Sequence, residues 1–264
     1  MALPLSIAIV CKNSGATIER TLASVADLAG EIVVLDSGST DNTLPIVMGF
    51  SPAVAVKVHK VTWQGHVKTK QAALEACSLP WILALDSDES LEPALQASVR
   101  AAVERDDPTK HGFTLNRKVW YRGRFLEHAW QPESRLRLVR RGRAHWMGID
   151  PHDQLVLSSG NIATTVGVLS GDLRHDSIDT FISFMAKQVH YGELSAKGML
   201  ARGDRGSYWR LLTSPAIAFL KQMVLKQAFR DGWRGWLAAA STATAAAAKH
   251  AALIEMTYGR DAKK

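Results

Sequence analysis

Trp81-Ile82-Leu83-Ala84-Leu85-Asp86-Ser87-Asp88-Glu89 is a wholly apolar run that ends abruptly in three carboxylates. A short unbroken apolar run reads as a strand buried on both faces, as the strands of parallel sheets are. Asp86 and Asp88 then stand at its carboxyl end, the edge where open α/β sheets bind their ligands. Two carboxylates there can hold a divalent cation that bridges to substrate phosphates. Taken alone, an Asp-x-Asp more often caps a helix or solvates a turn. Its meaning depends on what else ends at the same edge.

Three more strands do. Ser6–Val10, Glu31–Asp36 and Val54–Val61 are apolar or β-branched runs. Between them lie helical patterns. Thr17–Leu28 carries Ile18, Leu22 and Val25 on one face, a short helix capped by Thr40 or Asp41 follows the second strand, and His66–Cys77 and Glu92–Arg105 complete the series. The alternation predicts βαβ units and a mainly parallel sheet. The four strands end in Cys11-Lys12-Asn13, Asp36-Ser37-Gly38-Ser39, Thr62-Trp63-Gln64-Gly65 and Asp86-Ser87-Asp88. Four polar strand ends on one rim favour a ligand site over four unrelated turns.

Beyond residue 105 the alternation stops. Gly112–Tyr121, Arg135–Arg141, Gln154–Leu157 and Asn161–Leu169 read as strands among loops. From Ser177 the chain turns helical, with Ser177–Ala201, Pro215–Arg230 and Trp233–Met256 as candidates and Gly203–Ser207 as a link. The alanine-rich 238–248 stretch suits a packed helix. The expected division is a catalytic region 1–176, split into halves 1–105 and 106–176, and a helical extension 177–264.

With 264 residues, 47% hydrophobic and 22% charged, the chain can bury a large core. Its net charge of +7 points to an anionic partner: nucleic acid, acidic membrane or phosphorylated substrate. Cys11 and Cys77 have no metal-type spacing and read as free thiols of a reducing compartment. The start lacks a basic segment and enters a strand directly, so no secretory signal is expected, and no run is long enough to span a bilayer. A dinucleotide dehydrogenase is disfavoured, because no Gly-x-Gly-x-x-Gly follows the first strand. A sugar-phosphate nucleotidyltransferase would need a glycine-rich, arginine-containing loop there, which Cys11-Lys12-Asn13-Ser14-Gly15 does not supply. A non-catalytic membrane or nucleic-acid adaptor is the remaining rival, and the clustered carboxylates weigh against it.

Chemistry assigns roles. Asp36 can accept hydrogen bonds from a base or ribose, Asp86 and Asp88 can hold Mg²⁺ or Mn²⁺ against a diphosphate, and Lys12 and Lys70 can supplement that charge. The opening Cys-Lys-Asn, Val33-Val34-Leu35-Asp36-Ser37-Gly38-Ser39-Thr40-Asp41 and Leu85-Asp86-Ser87-Asp88-Glu89 resemble the family 2 glycosyltransferases of GT-A fold. The nearest subgroup is similar to lipopolysaccharide core β-glucosyltransferases. Trp63-Gln64-Gly65, Pro132-Glu133 ahead of Arg137-Leu138-Val139-Arg140-Arg141, His152-Asp153, Leu173-Arg174-His175 and Asp231-Gly232 also fit.

The resemblance implies an α/β, GT-A-like (Rossmann-like) fold with a mixed acceptor region. It also implies a UDP-hexose donor such as UDP-glucose, a saccharide or lipid-linked acceptor, and inversion at the anomeric carbon. Inversion needs a carboxylate base on the acceptor side; Asp153 is the candidate, Asp150 the alternative, and His152 a residue that orients the base or the acceptor. His175 completes the metal site or is a plain helix-entry histidine, Arg137 meets donor phosphate or an acidic acceptor, and the donor set is Lys12, Asn13, Asp36, Ser37, Gly38, Gln64, Gly65, Lys70, Asp86, Ser87 and Arg137. The rest of the Arg135–Arg143 block reads as a basic face.

Residues 209–237 interleave Trp209, Phe219, Phe229, Trp233 and Trp236 with Arg210, Lys221, Lys226, Arg230 and Arg234. Basic charge mixed with tryptophan suits an interfacial helix on an anionic membrane. The expected location is therefore the cytoplasmic face of the inner membrane, with no nucleic-acid partner.

Overall fold

The structure, a computed structural model, describes residues 2–50, 54–149, 152–160 and 162–259. Asp150 lies outside the described residues, as does the side chain of His152. Two compact units are present: residues 1–118 with 133–176, and residues 119–132 with 177–264.

In chain order the elements up to residue 176 are β1 (Leu5–Cys11), α1 (Ile18–Val25), β2 (Glu31–Asp36), α2 (Thr43–Gly49), β3 (Val56–Lys60), α3 (His66–Glu75), β4 (Trp81–Asp86), β5 (Glu89–Leu91), α4 (Pro93–Arg105), β6 (Gly112–Tyr121), β7 (Arg124–Phe125), β8 (Ser134–Arg140), β9 (Ala144–Ile149), β10 (His152–Leu157), α5 (Ile162–Thr165) and β11 (Val166–His175). The main sheet runs β3-β2-β1-β4-β8-β6-β11-β5, with β7 beside β6; β9 and β10 form a separate pair. The β3-β2-β1-β4 half is parallel, with Cys11 opposite Asp36 and Val10 opposite Asp86. The polar strand ends thus share one edge. β8 then joins β4 antiparallel, and β11 joins β5 antiparallel.

The alternation of strand side chains fills both faces. Leu5, Ile7 and Ile9 of β1 pack with Ile18, Leu22 and Val25 of α1 and Leu95 and Val99 of α4. On the opposite face Ala8 lies with Val33, Leu35, Ile82 and Ala84 under Ala73 and Leu74 of α3. Each fully buried Leu, Ile or Val contributes about 1.5–3 kcal/mol, so the sheet supplies a rigid edge.

Several expected boundaries shift. Residues 162–165 form the short helix α5 rather than the start of a strand, and β11 runs on to His175. His175 is therefore at a strand end and not at a helix entry. The Arg135–Arg143 block is not simply a basic face. Arg137 is buried, Arg135 is bound by Glu133, and Arg140 stacks 4.3 Å over the Trp81 ring while donating to the carbonyls of Asp106, Asp107 and Lys110.

In the second unit α6 (Phe181–Ala201), α7 (Tyr208–Leu220) and α8 (Trp233–Tyr258) pack around Leu126, Ala129, Met223, Ala238 and Ala239. The alanine-rich stretch allows close helix packing: a Cβ on Gly192 of α6 would come within 2.9 Å of Ala248 Cβ on α8. The expected helix Pro215–Arg230 is instead the end of α7, a π turn at Lys221–Leu225 and a 3₁₀ turn at Ala228–Asp231. Residues 119–132, expected within the 106–176 half, group with the helices. The buried Asp231 carboxylate accepts the N–H groups of Glu127, His128 and Ala129 at 2.8–3.0 Å and so ties that segment to them.

One carboxylate secures the amino-terminal edge of the parallel half. Glu31 accepts Ser6 Oγ of β1 at 2.5 Å, Lys57 Nζ of β3 at 2.7 Å, and both the N–H and the hydroxyl of Ser78 ahead of β4. Burial alone would raise its pKa, but these partners bring it from 4.5 to about 2. The folded value lies below the unfolded one. Its contribution is therefore complete above the unfolded 4.5 and is lost as pH falls toward about 2. Glu31→Gln is expected to cost about 3 kcal/mol at neutral pH. The gap between variant and parent should narrow as pH drops through that window, measured by urea or thermal unfolding across pH.

Candidate active site

The carboxyl edge of β4 gathers a charged cluster whose members come from five strands, one helix and the residue ahead of β8. Asp86 closes β4, and its two oxygens are taken. Lys70 Nζ, from α3, stands 2.5 Å from Oδ1, and Arg137 of β8 donates to Oδ2 at 3.0 Å. Arg117 of β6 comes within 3.9 Å of the same oxygen. The Lys70 ammonium also donates to Asp153 Oδ2 on β10 at 2.8 Å. One lysine therefore links the carboxylate ending β4 to the carboxylate on the β9–β10 pair. The Trp146 ring of β9 covers this lysine, its centroid 4.7 Å from Nζ.

Behind Asp86 lies Glu89, fully buried. Its Oε2 accepts the Asp86 N–H at 3.0 Å, and its Oε1 accepts Arg137 at 2.7 Å and Arg117 at 3.1 Å. Arg117 also binds Glu133 Oε1 at 2.5 Å, and Glu133 in turn binds Arg135. Asp86, Glu89, Glu133 and Asp153 are thus matched by Lys70, Arg117, Arg135 and Arg137, four charges of each sign. Burial disfavours the charged forms of Asp86 and Lys70, and the opposite charges outweigh it: Asp86 is held far below the usual carboxylate range by Lys70 and Arg137, and Lys70 is raised above that of a free lysine mainly by Asp86.

Asp88 faces elsewhere. The antiparallel register of β5 with β11 sets His175 opposite Glu89. His175 Nε2 accordingly stands 3.4 Å from Asp88 Oδ2, and the Asp176 N–H donates to the Asp88 carbonyl. Burial works against both charges, yet the pair attracts: Asp88 is lowered and His175 raised. Among the described residues, no group of three or more His, Cys, Asp or Glu side chains is arranged to hold a metal ion. The expected triad of Asp86, Asp88 and His175 reduces to the Asp88–His175 pair, because Asp86 is committed to Lys70 and Arg137. By donor type that pair suits a cation: an imidazole nitrogen stands 3.4 Å from a carboxylate oxygen.

Ser87 is fixed rather than presented. Its carbonyl accepts the hydroxyls of Thr17 and Thr21 at 2.9 and 3.0 Å, and its own hydroxyl meets Ser14 Oγ at 2.7 Å. At the ends of β1 and β2 a second cluster forms. Asp36 accepts the N–H groups of Gly38 and Ser39, and Ser37 Oγ donates to the Cys11 carbonyl. Asn13, with φ of 52°, accepts the Thr40 N–H at 2.8 Å. Burial and the neighbouring Asp36 push the Cys11 thiol up to about 12. Lys12 and Gln64 are exposed outside both clusters. Gly65, with φ of 94°, caps the helix that delivers Lys70.

Sequence reasoning singled out Lys70, Asp86, Arg137 and Asp153 separately, and they meet. It missed the parts of Glu89, Arg117, Glu133 and Trp146. Glu89 carried a readable signal, since a third carboxylate directly after a buried strand must find cations if it is itself buried.

A family model described as Glycosyl transferase family 2 matches residues 6–154. The "Lipopolysaccharide core biosynthesis glycosyltransferase LpsC" of Rhizobium meliloti (strain 1021) is 29% identical over 243 residues, 90% of this chain and 87% of that protein. An uncharacterized glycosyltransferase of Rickettsia prowazekii (strain Madrid E) is 26% identical over 239 residues, 88% of this chain and 80% of that protein. A crystal structure of S. aureus TarS 1-349 has a similar fold, with a TM-score of 0.51 at 14% identity over 92% of this chain and 90% of that one. With the match running from the first strand to the strand that bears Asp153, the chain belongs to glycosyl transferase family 2 and has its GT-A architecture, an α/β Rossmann-like core with a helical C-terminal extension.

Proposed function

We propose that the protein transfers a hexose, with inversion, from a UDP-hexose such as UDP-glucose to a saccharide acceptor of the lipopolysaccharide core or another lipid-linked glycan. The observation that carries this reading is the Lys70 bridge. It holds a donor-side carboxylate, Asp86, and an acceptor-side carboxylate, Asp153, around one ammonium at 2.5 and 2.8 Å. The lipopolysaccharide-core name of the Rhizobium relative, matched over most of its length, supports the acceptor class.

In the proposed reaction Asp153 accepts the proton of the acceptor hydroxyl as its oxygen attacks the anomeric carbon. The new glycosidic bond forms on the face opposite the diphosphate. The old carbon–oxygen bond breaks, and its electron pair leaves with UDP. Asp36 and the Asn13 loop are assigned to the nucleoside, and Arg137 and Lys70 to fixing Asp86 in place beside the donor. Asp88 and His175 are assigned to a divalent cation, which when bound neutralises charge on the departing diphosphate. A mixed nitrogen and oxygen pair favours Mn²⁺ over Mg²⁺. The balanced charge of the Asp86 cluster supports this assignment, since its cations are already neutralised and leave the diphosphate's charge to be met elsewhere.

Asp153→Asn is expected to lower kcat by about 10²–10⁴-fold with the donor KM little changed, measured by UDP release with a saccharide acceptor. A variant with parental kcat would remove Asp153 from the role of base. For the cation, thermal shift with a panel of nucleotide sugars should show UDP-glucose stabilising the parent more with Mn²⁺ than without. Asp88→Ala and His175→Ala should each abolish the Mn²⁺ increment and keep a folded transition; an increment that survives both would overturn the assignment.

A further inference from the structure

Helix α7 in the second unit has its polarity inverted. Trp209, Leu212, Ala216 and Leu220 recur at helical spacing and form one stripe. Such a stripe normally faces a core, but here it faces solvent: Trp209 is 74% exposed, Leu212 73% and Leu220 57%. No residue of α7 is fully buried. The π turn that follows buries Gln222 and Met223 and turns Val224 and Leu225 outward. Trp236 of α8, also half exposed, lies 6.0 Å from Phe219 of α7, ring to ring, and extends the apolar surface sideways. Contiguous exposed apolar surface of this kind marks an interaction face.

The charge around it is one-sided. Between Asp204 and Glu255 the sequence has seven lysines and arginines and a single acid, Asp231. That acid is buried against the backbone of residues 127–129. Arg210 and Lys221, by contrast, are exposed beside the stripe. Among the described residues no helix is long and apolar enough to cross a membrane. An apolar stripe with tryptophan and tyrosine at its end, bordered along its length by Arg210 and Lys221 and too short to span, is the make-up of a helix lying in a bilayer interface.

We propose that α7 and the π turn form a docking face for the surface of a bilayer containing anionic phospholipid. Trp209, Leu212, Leu220 and Leu225 enter the headgroup–acyl boundary, while Arg210 and Lys221 meet lipid phosphates. The face belongs to the second unit alone, so the proposal stands or falls apart from the transfer chemistry.

The test is vesicle co-sedimentation of the full chain. Vesicles with about 30 mol % phosphatidylglycerol should bind it at least about ten-fold more tightly than phosphatidylcholine alone. Arg210→Gln and Lys221→Gln should each weaken binding about five-fold, and Trp209→Ser with Leu212→Ser should abolish it. Because these side chains are exposed, circular-dichroism melts of the variants should match the parent. Absent binding to anionic vesicles at low salt, or equal binding to both lipids, would overturn the proposal. So would a dimer by light scattering that dissociates in the Trp209→Ser, Leu212→Ser variant, which would assign the face to a second copy.

Discussion

The Lys70 ammonium is the contact on which the arrangement of the site depends. Burying an ammonium costs several kcal/mol, and here the cost is met by two carboxylates from different parts of the chain and by the Trp146 ring. Removing one partner of such a group leaves an uncompensated buried charge, typically at about 3–5 kcal/mol. The lysine therefore acts as a geometric constraint. It bridges the end of β4 and the β9–β10 pair, which among the described residues has no strand pairing with the main sheet. Glu89 does the same one layer further in: it orients Arg117 and Arg137, and Arg137 then completes the coordination of Asp86.

The sheet explains how these groups can meet. Its parallel half sends the carboxyl ends of β1, β2 and β4 to one edge. Its antiparallel half carries chain back past that edge, so that Arg137 arrives on β8 and His175 on β11. A wholly parallel sheet would present strand ends and loops there, without side chains from the middle of a strand. The mixed topology supplies a second set of functional groups from residues far along the chain. It is the physical basis for separating a donor half from an acceptor half in the proposed reaction.

Much of the parallel half was legible in the sequence. The apolar runs at 6–10, 31–36 and 81–86 needed only hydrophobic continuity, and the burial of Ile18, Leu22 and Val25 followed from their spacing. The antiparallel half was less legible, because register between distant strands leaves no local pattern. Nothing near Arg117 announces that Glu89 and Glu133 will surround it. The break after Leu220 was missed for a similar reason: the helical pattern continues through residue 230, and Gln227, with φ of 53°, interrupts it in a conformation that non-glycine residues rarely adopt. Asp153 became a candidate only through resemblance, since an isolated aspartate after a histidine has no diagnostic pattern of its own.

The two aspartates of Asp86-Ser87-Asp88 show why position within a motif is not enough. In an extended strand residues two apart point to the same face, and both carboxylates would then share one partner set. The strand ends at Asp86, however, and a turn at Ser87 and Asp88 precedes β5. The Ser87 carbonyl is anchored by Thr17 and Thr21, so the turn cannot relax toward extended geometry without losing both bonds. Asp86 is left facing lysine and arginine, and Asp88 facing histidine. The first environment fixes a permanent ion-pair network, in which the carboxylate is already neutralised and a poor metal ligand. The second offers an anion beside an imidazole, which can lose its proton and expose a nitrogen donor. One motif thus divides into a structural charge and a candidate metal ligand, and the division is made by two threonine hydroxyls from the first helical turns of the chain.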